Sequence, residues 1–257
     1  MTKKERQYQI LAILQQEERV TVQQLAAQLA VSVVTIRRDL DDLEKANLLQ
    51  KKYGGATLPA VRENHNPQPH FLYRSTQNQA KKGLIGAAAA ALVDNDDVIL
   101  LSIGTTCQEV ARNLGRLQTL TILTDSFAVL ETLADSPFTL LALGGYARPK
   151  ERAMNGGPAM DTLDKFCVRK AILGAGGITF ERGLTEHYRE SAELHARIIE
   201  QAEQVIVVAD SSKLGKNVMS VVAPIDRIDI LVTDKEAPDA FVREARERGV
   251  RVILADV

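Results

Sequence analysis

Seven apolar runs occupy the chain beyond residue 97, and their lack of alternation constrains the fold more than any other feature. They are VILLS (98–102), TILTD (121–125), TLLALGG (139–145), KAILGAGG (170–177), QVIVVAD (204–210), DILVTD (229–234) and VRVILA (250–255). A strand with one wet face alternates apolar and polar residues, whereas a strand buried on both faces does not. Helical segments near 106–114, 126–134, 159–166, 190–202 and 238–248 separate the runs, and an alanine-rich helix from Gln77 to about Val93 precedes them. Strand and helix in turn predict an α/β domain: a mostly parallel sheet with helices on both faces.

The first 58 residues follow a different rule. Residues 3–17 have helical spacing, with Ile10, Ile13 and Leu14 on one face. Thr21–Leu43 reads as two short helices joined at Ala30-Val31-Ser32, with Ser32 capping the second, whose Ile36, Leu40 and Leu43 fall at i, i+4 and i+7. That spacing puts Val33, Val34, Thr35, Arg37 and Arg38 on or beside the exposed face of the second helix. A helix-turn-helix presents such residues to base edges and phosphates, and adjacent arginines beside short apolar residues are not needed by a helix pair that only packs. Leu48–Leu58 then reads as a basic β-hairpin, a wing whose Lys51, Lys52 and Gly54-Gly55 backbone approach phosphates or the minor groove. An ordinary αα-hairpin and a solvated loop are the competing readings.

The net charge of −1 over 257 residues at first sight argues against nucleic acid, because phosphate attraction supplies much of a DNA-binding protein's affinity. The average conceals a cluster: Arg37, Arg38, Lys45, Lys51 and Lys52 lie close together, while the C-terminal part is mixed and slightly acidic. A tethered basic module fits better than a protein that coats DNA. The two cysteines, Cys107 and Cys167, are far apart and show no ligand spacing, so neither a disulfide scaffold nor a metal site is indicated. The start of the chain has no apolar signal region, and no apolar run reaches the length of a membrane span. The expectation is a cytoplasmic protein with no membrane partner. Neither a P-loop nor a dinucleotide glycine pattern occurs, and no cofactor is expected.

In an open α/β sheet, ligands lie beyond the carboxyl ends of the strands. After the first run comes Ile103-Gly104-Thr105-Thr106-Cys107, a glycine turn leading into a helix, where free amides, two hydroxyls and the helix dipole converge on an anion such as a phosphate. Asp125, Gly144, Gly145, Arg148, Gly176 and Lys213 follow other strands at the same end, together with Ser102. Arg148 and Lys213 would neutralise an anion, and Asp125 or Asp210 would accept hydrogen bonds from a polyol. The helix start gives Cys107 some thiolate character if it is not simply core. His187 and His195 lack a nucleophile motif.

The run VSVVTIRRDLDDLEKANLLQKKYGGA, with its cap Ser, TIRRDL and late YGGA, resembles the winged helix-turn-helix of the DeoR family of bacterial transcriptional regulators. GTT at 104–106, LGG at 143–145, ERGLT at 181–185 and DSSKLG at 210–215 stand where that family's sugar-phosphate sensing domain has its pattern. The resemblance implies a repressor of a sugar or polyol catabolic operon, relieved by a phosphorylated sugar, and a C-terminal fold similar to ribose-5-phosphate isomerase and the CoA transferases. The chain departs from the pattern at Ser102 and Gly176, where the family often has acids, and at Tyr188 and Ser191, where it usually has Asn and Glu.

The combined expectation is a winged helix-turn-helix domain over 1–58, a proline-containing linker over 59–76 that includes His65 and His70, and an α/β sensing and oligomerising domain over 77–257. Its partners would be double-stranded operator DNA, a phosphorylated sugar or polyol, and further copies of itself. An isomerase-like enzyme carrying a DNA-binding module, and a DNA-binding protein whose C-terminal domain only oligomerises, are the alternatives. The carboxylate pair of an isomerase is what Ser102 and Gly176 take away.

Overall fold

The computed structural model describes residues 1–17, 19–45, 48–57 and 71–256, apart from the side chains at 4, 15 and 16. The chain forms two compact units, the first within 1–77 and the second covering essentially 78–257. His65, His70 and the linker up to residue 70 lie outside the described residues. Phe71–Thr76, also expected as linker, is helical.

In the first unit, α1 (Lys3–Glu17), β1 (Arg19–Thr21), α2 (Val22–Gln28) and α3 (Val33–Lys45) precede the hairpin β2 (Gln50–Lys52) and β3 (Gly55–Thr57). Ile10, Leu14, Leu25, Ile36, Leu40 and Leu43 are buried together, as the helical spacing requires, and Leu72 and Tyr73 of α4 (Phe71–Thr76) pack on the same core. Thr21 caps α2: its hydroxyl accepts from the Gln24 amide at 3.2 Å, and the Gln24 side chain accepts from the Thr21 amide at 2.8 Å. β1 was not expected, because three residues are too few to show a period. It pairs with β3 to make an antiparallel sheet in the order β1-β3-β2.

The second unit runs α5 (Gln79–Ala90), β4 (Val98–Leu101), α6 (Thr105–Arg112), β5 (Thr121–Thr124), α7 (Phe127–Leu133), β6 (Thr139–Ala142), β7 (Tyr146–Arg148), β8 (Ala153–Asn155), α8 (Gly157–Leu163) and β9 (Lys170–Leu173). It continues with β10 (Gly177–Thr179), β11 (Gly183–Glu186), α9 (Arg189–Gln201), β12 (Gln204–Val208), β13 (Ser220–Ala223), β14 (Ile230–Asp234), α10 (Asp239–Glu247) and β15 (Arg251–Ala255). All seven apolar runs enter one parallel sheet, in the order β15-β14-β12-β9-β4-β5-β6. Neighbouring residues face opposite buried layers, Leu100 one and Ile99 with Leu101 the other, which is why the runs do not alternate. Three strands end two or more residues earlier than expected: Gly144 and Gly145, at φ +78° and +97°, stop β6; Gly174-Ala175-Gly176 separates β9 from β10; and β12 stops before Asp210.

The strand order places the candidate site. From β4 the chain winds outward through β5 and β6, with α5, α6 and α7 on one face; from β9 it winds the other way through β12, β14 and β15, with α8, α9 and α10 on the opposite face. Winding reverses between β4 and β9, so their carboxyl ends diverge into a crevice. The amino ends of the same strands are tied by Asp97, whose side chain is buried and lies 2.6 Å from Lys170 Nζ and 3.0 Å from Arg169 Nη1. The Lys170 ammonium also donates to the Leu92 carbonyl at 2.8 Å. Burial alone would raise the Asp97 carboxyl, but the bonds from Lys170 and the Asp94 amide bring it below its ordinary value. A depressed carboxylate stabilises the fold above its ordinary pKa, and that contribution is lost as pH falls through the folded value. Asp97→Asn is therefore expected to cost about 3 kcal/mol near neutrality. The difference from wild type should shrink in acid, a pattern that urea unfolding at the two pH values will check.

Candidate functional sites

At the start of α3 the Ser32 hydroxyl accepts from the Thr35 amide at 3.2 Å and lies 2.9 Å from the Thr35 hydroxyl, so the cap is made and the first turn is held. Ala30, at φ +51°, closes the turn from α2. Val33 and Val34 are exposed, as are Arg37 and Arg38 one helical turn further on. The acids behind them are neutralised within the unit: Asp39 by Arg6 at 2.5 and 3.2 Å, Asp41 by Lys51, and Asp42 by Lys3 at 2.7 Å. Among the described residues Arg37, Arg38 and Lys52 have no such partner, which leaves one end of the helix and the wing positive despite the overall charge.

The wing differs from the expectation in two places. Lys51 is not a free phosphate ligand: its ammonium pairs with Asp41 and its amide donates to Glu44 Oε1 at 2.8 Å. The Asp41 bond raises its affinity for a proton while nearby Arg37 lowers it, so α3 and the hairpin lie within one another's field. Gly55 is buried, and a Cβ there would meet the Val20 carbonyl oxygen at 2.0 Å. Its role is to let β3 approach β1, so its backbone is not the phosphate contact expected of it. Gly54, at φ +77°, makes the turn, and its carbonyl accepts from the Val22 amide at 2.9 Å. Tyr53, fully exposed at the tip, went unnoticed because a turn residue shows no period.

In the second unit Gly104 precedes α6 at φ +129° and ψ 152°, a conformation open to glycine, and no side chain caps the helix. The first-turn amides thus stay available beside Thr105 and Thr106, whose hydroxyls have no bond within the described residues. The Ser102 amide donates to the Ile172 carbonyl at 3.0 Å, the last rung between β4 and the strand across the crevice. The Ser102 hydroxyl donates to Asp125 Oδ1 at 2.9 Å and lies 2.9 Å from His195 Nε2, while Glu186 Oε1 is 3.8 Å from His195 Nδ1. All four residues are buried. Burial pulls His195 down to about 4, so its ring is neutral and its contact with Glu186 is not an ion pair. Burial also pushes Asp125 up to about 7, against the Ser102 bond and with help from Glu186. Sequence spacing revealed neither His195 nor Glu186 as part of this cluster.

Other expected ligand groups are placed differently. Arg148 lies 2.7 Å from Glu190 and over the Tyr188 ring at 4.5 Å, so its charge is already compensated. Asp210 is occupied by Asn78 and Ser212, and Lys213 lies in the short turn that follows it. Gly144 borders open space, whereas a Cβ on Gly145 would meet the Asn155 carbonyl oxygen at 2.4 Å. An acid at Gly176 is disfavoured, because a Cβ there would lie 2.9 Å from the Thr185 carbonyl oxygen as well as 2.7 Å from a Val218 methyl. Cys107 is fully buried, and burial, then Asp125 and Glu186, pushes its thiol up, removing the thiolate character expected at a helix start.

Two family models divide the chain, the DeoR-like helix-turn-helix domain over residues 6–61 and the DeoR C terminal sensor domain over residues 77–235. The chain belongs to the DeoR family. It is a DNA-binding transcriptional regulator whose second unit is a sensor domain. The HTH-type transcriptional repressor GlcR of Bacillus subtilis is 33% identical over 100% of this chain and 98% of its own length. A putative aga operon transcriptional repressor of Escherichia coli O157:H7 is 33% identical over 97% and 93%, and the glycerol-3-phosphate regulon repressor of Escherichia coli K12 is 29% identical over 99% and 100%. A ribose 5-phosphate isomerase A from Methanocaldococcus jannaschii is partly alike in structure, with a TM-score of 0.41, 21% identity, and coverage of 54% of this chain and 55% of that one. Among the described residues no helix is long and apolar enough to cross a membrane.

The Asp125 and His195 shifts make opposite contributions to stability across one pH window. A raised Asp125 favours the fold below its ordinary value of 3.8 and loses that contribution as pH climbs through about 7. A depressed His195 does the reverse, because the unfolded chain takes up its proton between 6.5 and about 4 and the fold does not. Relative to wild type, the melting temperature of Asp125→Asn should rise more steeply with pH between those limits and that of His195→Gln should fall. Parallel profiles for all three proteins would mean that the cluster does not titrate as described.

Proposed function

We propose that this regulator is a cytoplasmic repressor of a sugar or polyol catabolic operon, released when a phosphorylated sugar enters the crevice at Gly104-Thr105-Thr106. The observation that carries the reading is the uncapped start of α6 at the point where the sheet reverses its winding, with two unengaged threonine hydroxyls beside it. The roles of the relatives, among them repressors of an aga operon and of a glycerol-3-phosphate regulon, support the operon class. Residues 1–58 act as the DNA-binding domain, 59–76 join it to the sensor, and 77–257 sense and self-associate. Thr35, Arg37, Val33 and Val34 meet base edges, while Ser32, Arg38, Lys52 and the Gly54 turn meet the backbone. One small module offers few phosphate contacts, so the active form pairs copies of the chain on paired half-sites.

Ser102, Asp125, Gly144, Gly145, Gly176, Arg148 and Lys213 surround the ligand at greater distance from the phosphate, Arg148 through its pair with Glu190. The sensor binds its ligand without turning it over. Ser102 carries no carboxylate and Gly176 has no room for one, so the ends of β4 and β9 lack the acids an isomerase would use to shuttle protons, and the buried carboxyls nearby are held, Asp125 by Ser102 and Glu186 beside His195. Incubation with pentose and hexose phosphates should return them unchanged, and measurable isomerisation would replace this reading with the enzymatic one.

Arg37→Ala is expected to weaken binding to a selected duplex by about 1–3 kcal/mol and to relax its sequence preference. Arg38→Ala should weaken all duplexes alike and reduce the salt slope by about 1. Fluorescence anisotropy at several salt concentrations separates the two, and unchanged binding in both would contradict the assignment. Thr105→Val keeps shape and removes a hydroxyl. It should leave DNA binding intact and weaken release by the phosphorylated effector about tenfold, the effect of one lost bond to a charged group.

A further inference from the structure

Three buried polar side chains beside the crevice are incompletely satisfied among the described residues: Asn155 at both amide atoms, Asp125 at Oδ2 and His195 at Nδ1. Asn155 is 3% exposed and the other two are fully buried. An unmet buried polar group destabilises a fold, and a leucine would fill the place of Asn155 without that penalty. The three belong to one wall. β8 lies along the end of β5, where the Met154 amide donates to the Asp125 carbonyl at 2.7 Å, and Asn155 is the next residue. Asp125 is joined through the Ser102 hydroxyl to His195.

The chemistry of the wall follows from its hydrogens. Ser102 gives its proton to Asp125 Oδ1, so it accepts from His195 Nε2. That leaves Nδ1 of the neutral ring as an acceptor, beside the acceptor Asn155 Oδ1 and the donor Asn155 Nδ2, while Asp125 Oδ2, its carboxyl raised to about 7, accepts when ionised and donates when protonated. Glu186, 3.8 Å from His195 Nδ1, adds a further carboxyl. Such a surface takes hydroxyl groups, which donate to it, and repels a second anion.

We propose that Asn155 and Asp125 read the hydroxyl groups of the effector, and that the effector is a polyhydroxy compound with a single anionic end. The inference rests on the crevice being the effector site and adds to it a residue and a ligand class. Ser102 and His195 are positioning residues that hold Asp125.

Thermal-shift titration of the full chain tests it, with inorganic phosphate, hexose and pentose monophosphates, and the matching bisphosphates and phosphorylated sugar acids. A monophosphate should raise the melting temperature, and its doubly anionic counterparts should bind at least about tenfold more weakly. Asn155→Leu should melt at or above wild type when free, because an unmet amide has gone. It should bind that monophosphate at least about tenfold more weakly with its response to inorganic phosphate unchanged. Asn155→Ser reads the same loss if the leucine variant does not fold. Binding equal to wild type in the variant that folds, or doubly anionic sugars that bind as well, overturns the proposal while leaving the crevice as the effector site. A wild-type protein that answers no phosphorylated sugar overturns both.

Discussion

The bond from the Ser102 amide to the Ile172 carbonyl, 3.0 Å long, is the last rung between β4 and β9, and the sensor domain is arranged around what happens just past it. Up to that rung the two strands share one ladder and bury both faces. Beyond it one chain turns into α6 on one face and the other leads toward α9 on the opposite face, so the backbone parts where no further rung can form. Buried backbone groups must find partners, and a divergent pair of strand ends cannot supply them all. Gly104 turns this geometric necessity into a site, since its backbone conformation aims the start of α6 into the gap.

In the first unit the comparable constraint is charge placement. α3 carries four acids behind its two exposed arginines, more than enough to cancel them, yet Asp39, Asp41 and Asp42 are each held by a basic residue of α1 or β2, and Glu44 accepts from the Lys51 amide. Those pairs cost the unit one wing lysine, Lys51, and leave Arg37, Arg38 and Lys52 facing outward. The buried Arg6 pair also fixes α1 against α3, so the residues that set the field of the recognition helix also hold it in place.

How much of this was legible depends on how far apart the interacting residues lie. The seven central strands showed themselves as unbroken apolar runs because burial on both faces suppresses alternation. The short antiparallel strands β1, β7, β8, β10, β11 and β13 did not, being three or four residues long. Asn155 was missed along with β8. His195 was visible only as a histidine near a helix start, because Ser102 is 93 positions away and Glu186 lies on one of the unseen strands. Gly55 read as a phosphate contact of the wing for a similar reason: the β1 carbonyl it accommodates belongs to a strand without a signature. Arg148 looked like a free cation because its partners, Tyr188 and Glu190, come from a different element.

A regulator of this design requires that its two sites communicate. Coupling between binding sites is reciprocal: if effector lowers affinity for DNA by some factor, DNA lowers affinity for effector by the same factor. The decisive measurement is a pair of titrations on the full chain with a duplex selected by the protein from a random pool. One titrates DNA with and without a phosphorylated sugar, and the other titrates the sugar with and without DNA. The account predicts equal and opposing factors in the two experiments, and a sugar that binds free and DNA-bound protein with the same affinity would contradict it.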